Sequence, residues 1–169
     1  MEPPDPPPSQ SARDRLLGAA AILFYNDGIG ATGIDAIVRR AGVAKKSLYN
    51  NFSSKADLVT RYIEARHAEW LGLYHARLQT AATPCDRVLA VFDAYHDHAE
   101  HDYENGFRGC GLLNAAAELT AGDPGREAVR RHKEEVEALL AAPLSELLPD
   151  DPGRSKRLAR QLEALDIGR

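Results

Sequence analysis

The residues best equipped for chemistry lie between positions 32 and 55. Lys45, Lys46 and Lys55 carry ammonium groups, Thr32, Ser47 and Tyr49 carry hydroxyls, and Asn50 carries a carboxamide. Cations and hydroxyls in this density suit phosphate oxygens, and a short polar side chain or lysine on a helix can reach the edges of bases. Covalent chemistry is not indicated. Neither Cys85 nor Cys110 has a His or acid in any recognisable activating pattern, and there is no Gly-rich phosphate loop or nucleophile elbow. The expectation is a binding protein, not an enzyme.

Helices must position those groups. Ser11, Thr32, Ser54 and Thr83 are each followed three residues later by Asp, the spacing of a capping box, and each opens an apolar-periodic run. The first helix is expected over about 12–27, with Leu16, Ala20, Leu23, Leu17, Ala21 and Phe24 on one face and Gly28 as a left-handed stop. Two short helices follow at about 33–40 and 44–52, joined by Ala41-Gly42-Val43. Such a pair, with a glycine in the turn, has the size of a helix-turn-helix. Ile34, Ile37 and Val38 point inward, as do the anchors Leu48 and Phe52. Further helices are expected near 55–80, 84–102, 111–121, 124–142 and 153–166. No stretch alternates as a strand does, so the fold class is all-α.

The charge is divided along the chain. The formal net charge is −4, which by itself argues against nucleic acid. Residues 11–61 nevertheless carry eight bases and four acids, while residues 62–169 carry thirteen bases and nineteen acids. A basic head on an acidic body suggests that one end meets a polyanion. The 169 residues fit one domain, or one with an appendage. The longest apolar run, Leu16 to Tyr25, is half of what a membrane-spanning helix needs. There is no basic stretch ahead of an apolar one at the N-terminus, so no secretory signal is expected. Two cysteines make no disulfide framework, and the expected compartment is the reducing cytoplasm. Residues 1–10, half of them proline, are expected to form a disordered tail.

Over residues 11–60 the chain resembles the N-terminal domain of TetR-family transcriptional repressors. The resemblance is carried by Leu16 to Ala20, Phe24 and Gly28, then Ala31-Thr32-Gly33-Ile34-Asp35-Ala36-Ile37, then the specific run from Ala41 to Lys55. It implies a three-helix helix-turn-helix domain at 11–54. A long fourth helix would join it to a helical ligand-binding and dimerisation domain at 55–169. It also implies roles. Thr32 would cap the second helix and meet a phosphate, Lys45 and Lys46 would meet phosphates or guanine, and Ser47 and Asn50 would reach bases. Tyr49 and Lys55 would hold the backbone. Ala44 departs from the family's usual hydroxyl residue and loses a cap. The implied function is a ligand-responsive repressor. It would bind a pseudo-palindromic double-stranded operator as a homodimer and be released by a small-molecule inducer.

In the body, Gly109 to Leu119 resembles the sixth-helix motif of one subgroup. Trp70, Tyr74, Phe92, Tyr95, Phe107, Cys110 and Asn114 are the candidates for an effector pocket, although aromatics at helical spacing also serve simply as core. Cys110, among glycines and near Arg108, has two readings: a redox-sensing thiol, which would make the protein a redox-sensing regulator, or a small buried packing residue, which is favoured. His96, His98 and His101 invite a metal reading, but His96 and His98 project nearly opposite ways on a helix. Solvated pairs with Glu100, Asp102 and Asp97 respectively are expected, and no metal or other cofactor. The resemblance finally implies a complete eighth helix and a ninth at the dimer interface. The last pattern, Leu158, Leu162 and Leu165, stops at Arg169, short of that ninth helix.

Overall fold

The computed structural model describes residues 10–100 and 103–165. The expected disordered tail therefore lies, apart from Gln10, outside the described residues, as do His101 and Asp102. Eight helices are described: α1 Ala12–Asp27, α2 Ile34–Ala41, α3 Lys45–Asn51, α4 Lys55–Leu78, α5 Pro84–Ala99, α6 Gly111–Glu118, α7 Pro124–Leu147 and α8 Pro152–Leu165. Among the described residues there is no strand.

Side-chain caps begin three of the four boxed helices as the spacing predicts. Ser11, Ser54 and Thr83 each accept from the backbone N–H three residues on, and Asp86 closes the reciprocal bond to Thr83. The fourth differs. The N-cap of α2 is Gly33, with no side-chain bond, and Thr32 is buried, its hydroxyl donating to the carbonyls of Gly28 at 2.7 Å and Leu23 at 3.3 Å. Asp35 instead pairs with Lys45. Gly28 also differs from expectation. Its φ is positive, but ψ is 159°, outside the left-handed helical region and in a conformation essentially restricted to glycine. Helix α7 runs beyond its expected end at 142 and passes through Pro143. The lost backbone bond is offset by burial of Leu140, Pro143 and Leu144. Helix α6 ends early, at Glu118, and Arg126 takes up the carbonyls of Ala116 and Leu119 there.

Two cores form. In the first, Leu16, Ala20 and Phe24 of α1 meet Ile37 and Val38 of α2, Leu48 of α3, and Leu58, Val59, Tyr62 and Ile63 of α4. Leu112 and Ala115 of α6 and Ala128 and Val129 of α7 complete it. The basic head thus shares its core with the body across the boundary expected at Ser54. The second core packs Trp70 and Tyr74 of α4 with Val91 and Ala94 of α5, Val136 and Leu140 of α7, and Ala159 of α8.

A polar chain crosses the body between α5, α7 and α4. Tyr95 Oη lies 3.2 Å from His132 Nε2, His132 Nδ1 lies 2.8 Å from His67 Nδ1, and His67 Nε2 lies 3.0 Å from Glu135. His132 is 1% exposed. Burial, with His67 beside it, pushes its pKa down from 6.5 to about 3.

Two predictions come from these features. At Gly28 an added Cβ would stand 2.9 Å from the Glu118 carboxylate, whereas at Gly18 nothing lies within 4 Å. Gly28→Ala should therefore cost about 1–3 kcal/mol. Gly18→Ala, inside α1, should stabilise by about 0.5–1 kcal/mol. Paired denaturant melts check both. His132 stays neutral in the folded protein down to about pH 3, while in the unfolded chain it binds a proton near 6.5. The unfolded state holds more protons between those values, so stability falls as pH drops below 6.5. The slope should reach about 1.4 kcal/mol per pH unit. Urea melts at about pH 7 and about pH 5.5 should lose this slope in His132→Leu, whatever that variant's absolute stability.

Candidate nucleic-acid interface

The reading element is built on one turn. Gly42 adopts φ 62° and ψ 39°, the left-handed conformation that lets α2 and α3 cross steeply. The carbonyls of Ala41 and Gly42 at this turn each accept a 2.6 Å bond from the Arg15 guanidinium of α1. Leu48 is fully buried and Phe52 nearly so, which fixes the rotation of α3. Arg13 stands over the Phe52 ring at 5.4 Å.

With those anchors inward, Lys45, Lys46, Tyr49 and Asn50 are exposed and Ser47 is half-buried. Tyr49 is 53% exposed, unusual for an aromatic ring and suited to a surface that meets a partner. Lys45 is not free. It pairs with Asp35 of α2 at 2.8 Å, and the shared hydrogen bond raises the lysine pKa and lowers that of the carboxyl. A phosphate reaching Lys45 shares the ammonium with Asp35 or competes with it. Asn51 turns back to the carbonyl of Ser47 at 2.7 Å, so Asn50 is the outward carboxamide.

Two expected contacts are committed elsewhere. Thr32 spends its proton inside the fold, as described, so it neither caps α2 nor stands ready to donate to a phosphate. Lys55 Nζ donates to the carbonyl of Ile29 at 2.6 Å. Its ammonium has further donors, so it holds the α1–α2 loop and still contributes charge at the N-terminus of α4. The sequence reading missed Arg13 and Arg15 as structural cations, and no local spacing signals them. It also missed Asp35 as the partner of Lys45.

The body grips the head through charged groups before and on α6. The Glu118 carboxylate accepts from Ile29 N at 3.0 Å and Gly30 N at 2.7 Å. The Arg108 guanidinium donates to the carbonyls of Tyr25 and Asn26 at the end of α1. Tyr25 Oη accepts from Arg108 N at 2.6 Å and donates to the Gly109 carbonyl at 3.1 Å. Burial raises the Tyr25 pKa, so it keeps this proton. Glu104 pairs with Arg40 of α2 at 2.6 Å.

The seven effector candidates separate into two groups. Trp70 and Tyr74 are buried in the second core, their rings stacked at 5.6 Å, with Phe92 and Tyr95 packed against it. Phe107, Cys110 and Asn114 lie elsewhere. Phe107 is 42% exposed, beside Tyr103, and Asn114 donates to the Arg108 carbonyl at 3.0 Å. Cys110 is the N-cap of α6 and packs against the first core, an arrangement that favours packing over redox sensing. His96 pairs with Glu100 at 3.4 Å as expected, but His98 is buried against Tyr103 rather than solvated.

A glycine-turned helix pair carrying an exposed cationic and polar face, set on a long helix and an all-helical body, defines a helix-turn-helix regulator. Comparison with known proteins narrows this. Residues 16–62 match the model of the bacterial regulatory proteins of the tetR family. The repressor KstR2 of Mycolicibacterium smegmatis is 35% identical over 102 residues, covering 60% of this chain and 49% of the relative. The activator FasR of the same species is 39% identical over 103 residues, covering 60% and 46%. The chain thus aligns with about half the length of each. The crystal structure of a TetR-type regulator from Streptomyces avermitilis superposes with a TM-score of 0.78. It is 32% identical, covering 94% of this chain and 84% of that one. The chain belongs to the TetR family of transcriptional regulators. Among the described residues no helix is long and apolar enough to cross a membrane.

Glu118 supplies a prediction. Its two bonds are charge-assisted, each worth about 1.5–3 kcal/mol. In Glu118→Ala, native-state hydrogen exchange of the Ile29 and Gly30 amides should speed up at least tenfold while the α7 amides keep their protection.

Proposed function

We propose that this protein is a ligand-responsive repressor that binds a pseudo-palindromic operator as a homodimer. The observation that carries the reading is α3. Lys46, Tyr49 and Asn50 project from a helix locked from behind by Leu48 and Phe52. Lys45, Lys46 and Lys55 supply charge to phosphates, Tyr49 a hydroxyl to the backbone, and Ser47 and Asn50 the reading of base edges. Thr32 acts indirectly, by tying the α1–α2 loop. The named relatives include a repressor and an activator, and the family resemblance favours repression. Such a regulator works in the cytoplasm and performs no catalysis.

The effector would enter the second core, where Trp70, Tyr74, Phe92 and Tyr95 form an aromatic wall. Trp70 Nε1–H is buried without an acceptor, and an acceptor on a guest would satisfy it. A guest there would shift α4, whose other end carries the head. Release of DNA follows if the guest prefers the arrangement in which the two heads no longer match successive major grooves.

Selection of duplexes from a random pool tests the reading. The expected product is a two-fold-symmetric site with half-sites about 10 bp apart. A pool that converges on no sequence would overturn it. Asn50→Ala should change preference at one or two positions, by about 1–3 kcal/mol each. Tyr49→Phe should weaken all duplexes alike, by about 0.5–1.5 kcal/mol. An altered preferred site in Tyr49→Phe would contradict its assignment to the backbone.

A further inference from the structure

A cavity lies away from the aromatic core, between head and body. Its volume is about 220 Å³. One wall is α1, with Ala21, Ile22, Tyr25 and Asn26, and the other is Arg66 of α4 with Tyr103 and Glu104 from the segment before α6. The contacts already described surround it. Tyr25 is held by Arg108 and Gly109, and Glu104 is held by Arg40.

We propose that this cavity binds a small monocarboxylic acid with an apolar or aromatic body. Tyr25 and Tyr103 stack at 4.4 Å with an interplanar angle of 21°, presenting aromatic surface, and Ala21 and Ile22 add aliphatic surface. Ile22 is 36% exposed, so the wall is open to a guest. The polar end is Arg66. Its Nη2 pairs with Glu69 at 2.6 Å, and a guanidinium has five donors in a planar fork.

The sign of the guest follows from exposure. Each has one ionic partner, Glu69 for Arg66 and Arg40 for Glu104, but the Arg66 side chain is 22% exposed and that of Glu104 51%. A charge-assisted bond gains more at the less hydrated group, so an anion on Arg66 is favoured over a cation on Glu104. The cavity volume is below the roughly 300 Å³ at which drug-sized pockets begin, so a single-ring acid is the appropriate size. The lining residues belong neither to the aromatic core nor to α3.

Calorimetric titration of the full chain, without DNA, tests this with sodium benzoate, benzamide and benzylamine at constant ionic strength. Benzoate should bind at least tenfold more tightly than either neutral benzamide or cationic benzylamine. Arg66→Gln should weaken benzoate at least tenfold while leaving benzamide unchanged, and Ile22→Trp, which fills the cavity, should abolish benzoate binding. No benzoate binding, equal binding of benzoate and benzamide, or unchanged affinity in Arg66→Gln would each overturn the proposal. If Ile22→Trp fails to fold, Arg66→Gln decides alone. A failure here leaves the operator selection untouched, since that experiment contains no acid.

Discussion

Helix α4 belongs to two cores at once, and the rest of the structure depends on that. Its first half, through Leu58, Val59, Tyr62 and Ile63, is buried with the head, and its second half, through Trp70 and Tyr74, is buried with the body. At 24 residues the helix is about 36 Å long, which lets one element line both cores. Neither core is complete without it. The head's hydrophobic interior is therefore shared with α4, and α6 and the start of α7 help to close it.

Charge does the finer positioning where apolar packing cannot. The Gly28–Gly30 loop presents two N–H groups to Glu118 and one carbonyl to Lys55. Arg108 takes the last carbonyls of α1, and Arg15 those of the α2–α3 turn. Each meets backbone groups that helix ends or turns leave unpaired. The body is thus hydrogen-bonded to the loop that leads into the reading element. The segment before and on α6 is bonded to the end of α1, to the α1–α2 loop and, through Glu104, to Arg40 of α2, and a cavity sits among these bonds.

Local order was readable in advance because its causes are local. Ser11, Ser54 and Thr83 cap through a bond to a residue three positions on, and Gly42 turns because it lacks a Cβ. Leu48 and Phe52, four apart, bury on one face, leaving Lys46, Tyr49 and Asn50 outward. Thr32 and Asp35 broke the rule with the same spacing. Thr32 found carbonyls within the fold, and Asp35 found a lysine on the next helix. Thr32 turned back four residues to Gly28 where the α1–α2 loop brings that carbonyl to it, and Asp35 turned to the next helix, so neither made the cap that the spacing suggests. The effector candidates separate into two places for a related reason. Tyr74 and Asn114 look alike as polar groups on amphipathic helices, yet one is buried in the second core and the other props the loop before α6.

The sequence by itself determined the helices, the turn between α2 and α3, the basic head and the family, since periodicity, capping and turn chemistry act over three or four residues. Tertiary structure alone decided which charges are free to meet a phosphate and which are consumed in holding the head. Lys45 and Lys46 are neighbours of the same type, but one is paired with Asp35 and both stand on the surface. Lys55 is turned to Ile29, and His132 is kept neutral in the interior by burial. The difference is physical. Helix formation depends on near neighbours in the chain, whereas the state of a charge depends on what the fold brings within about 4 Å of it.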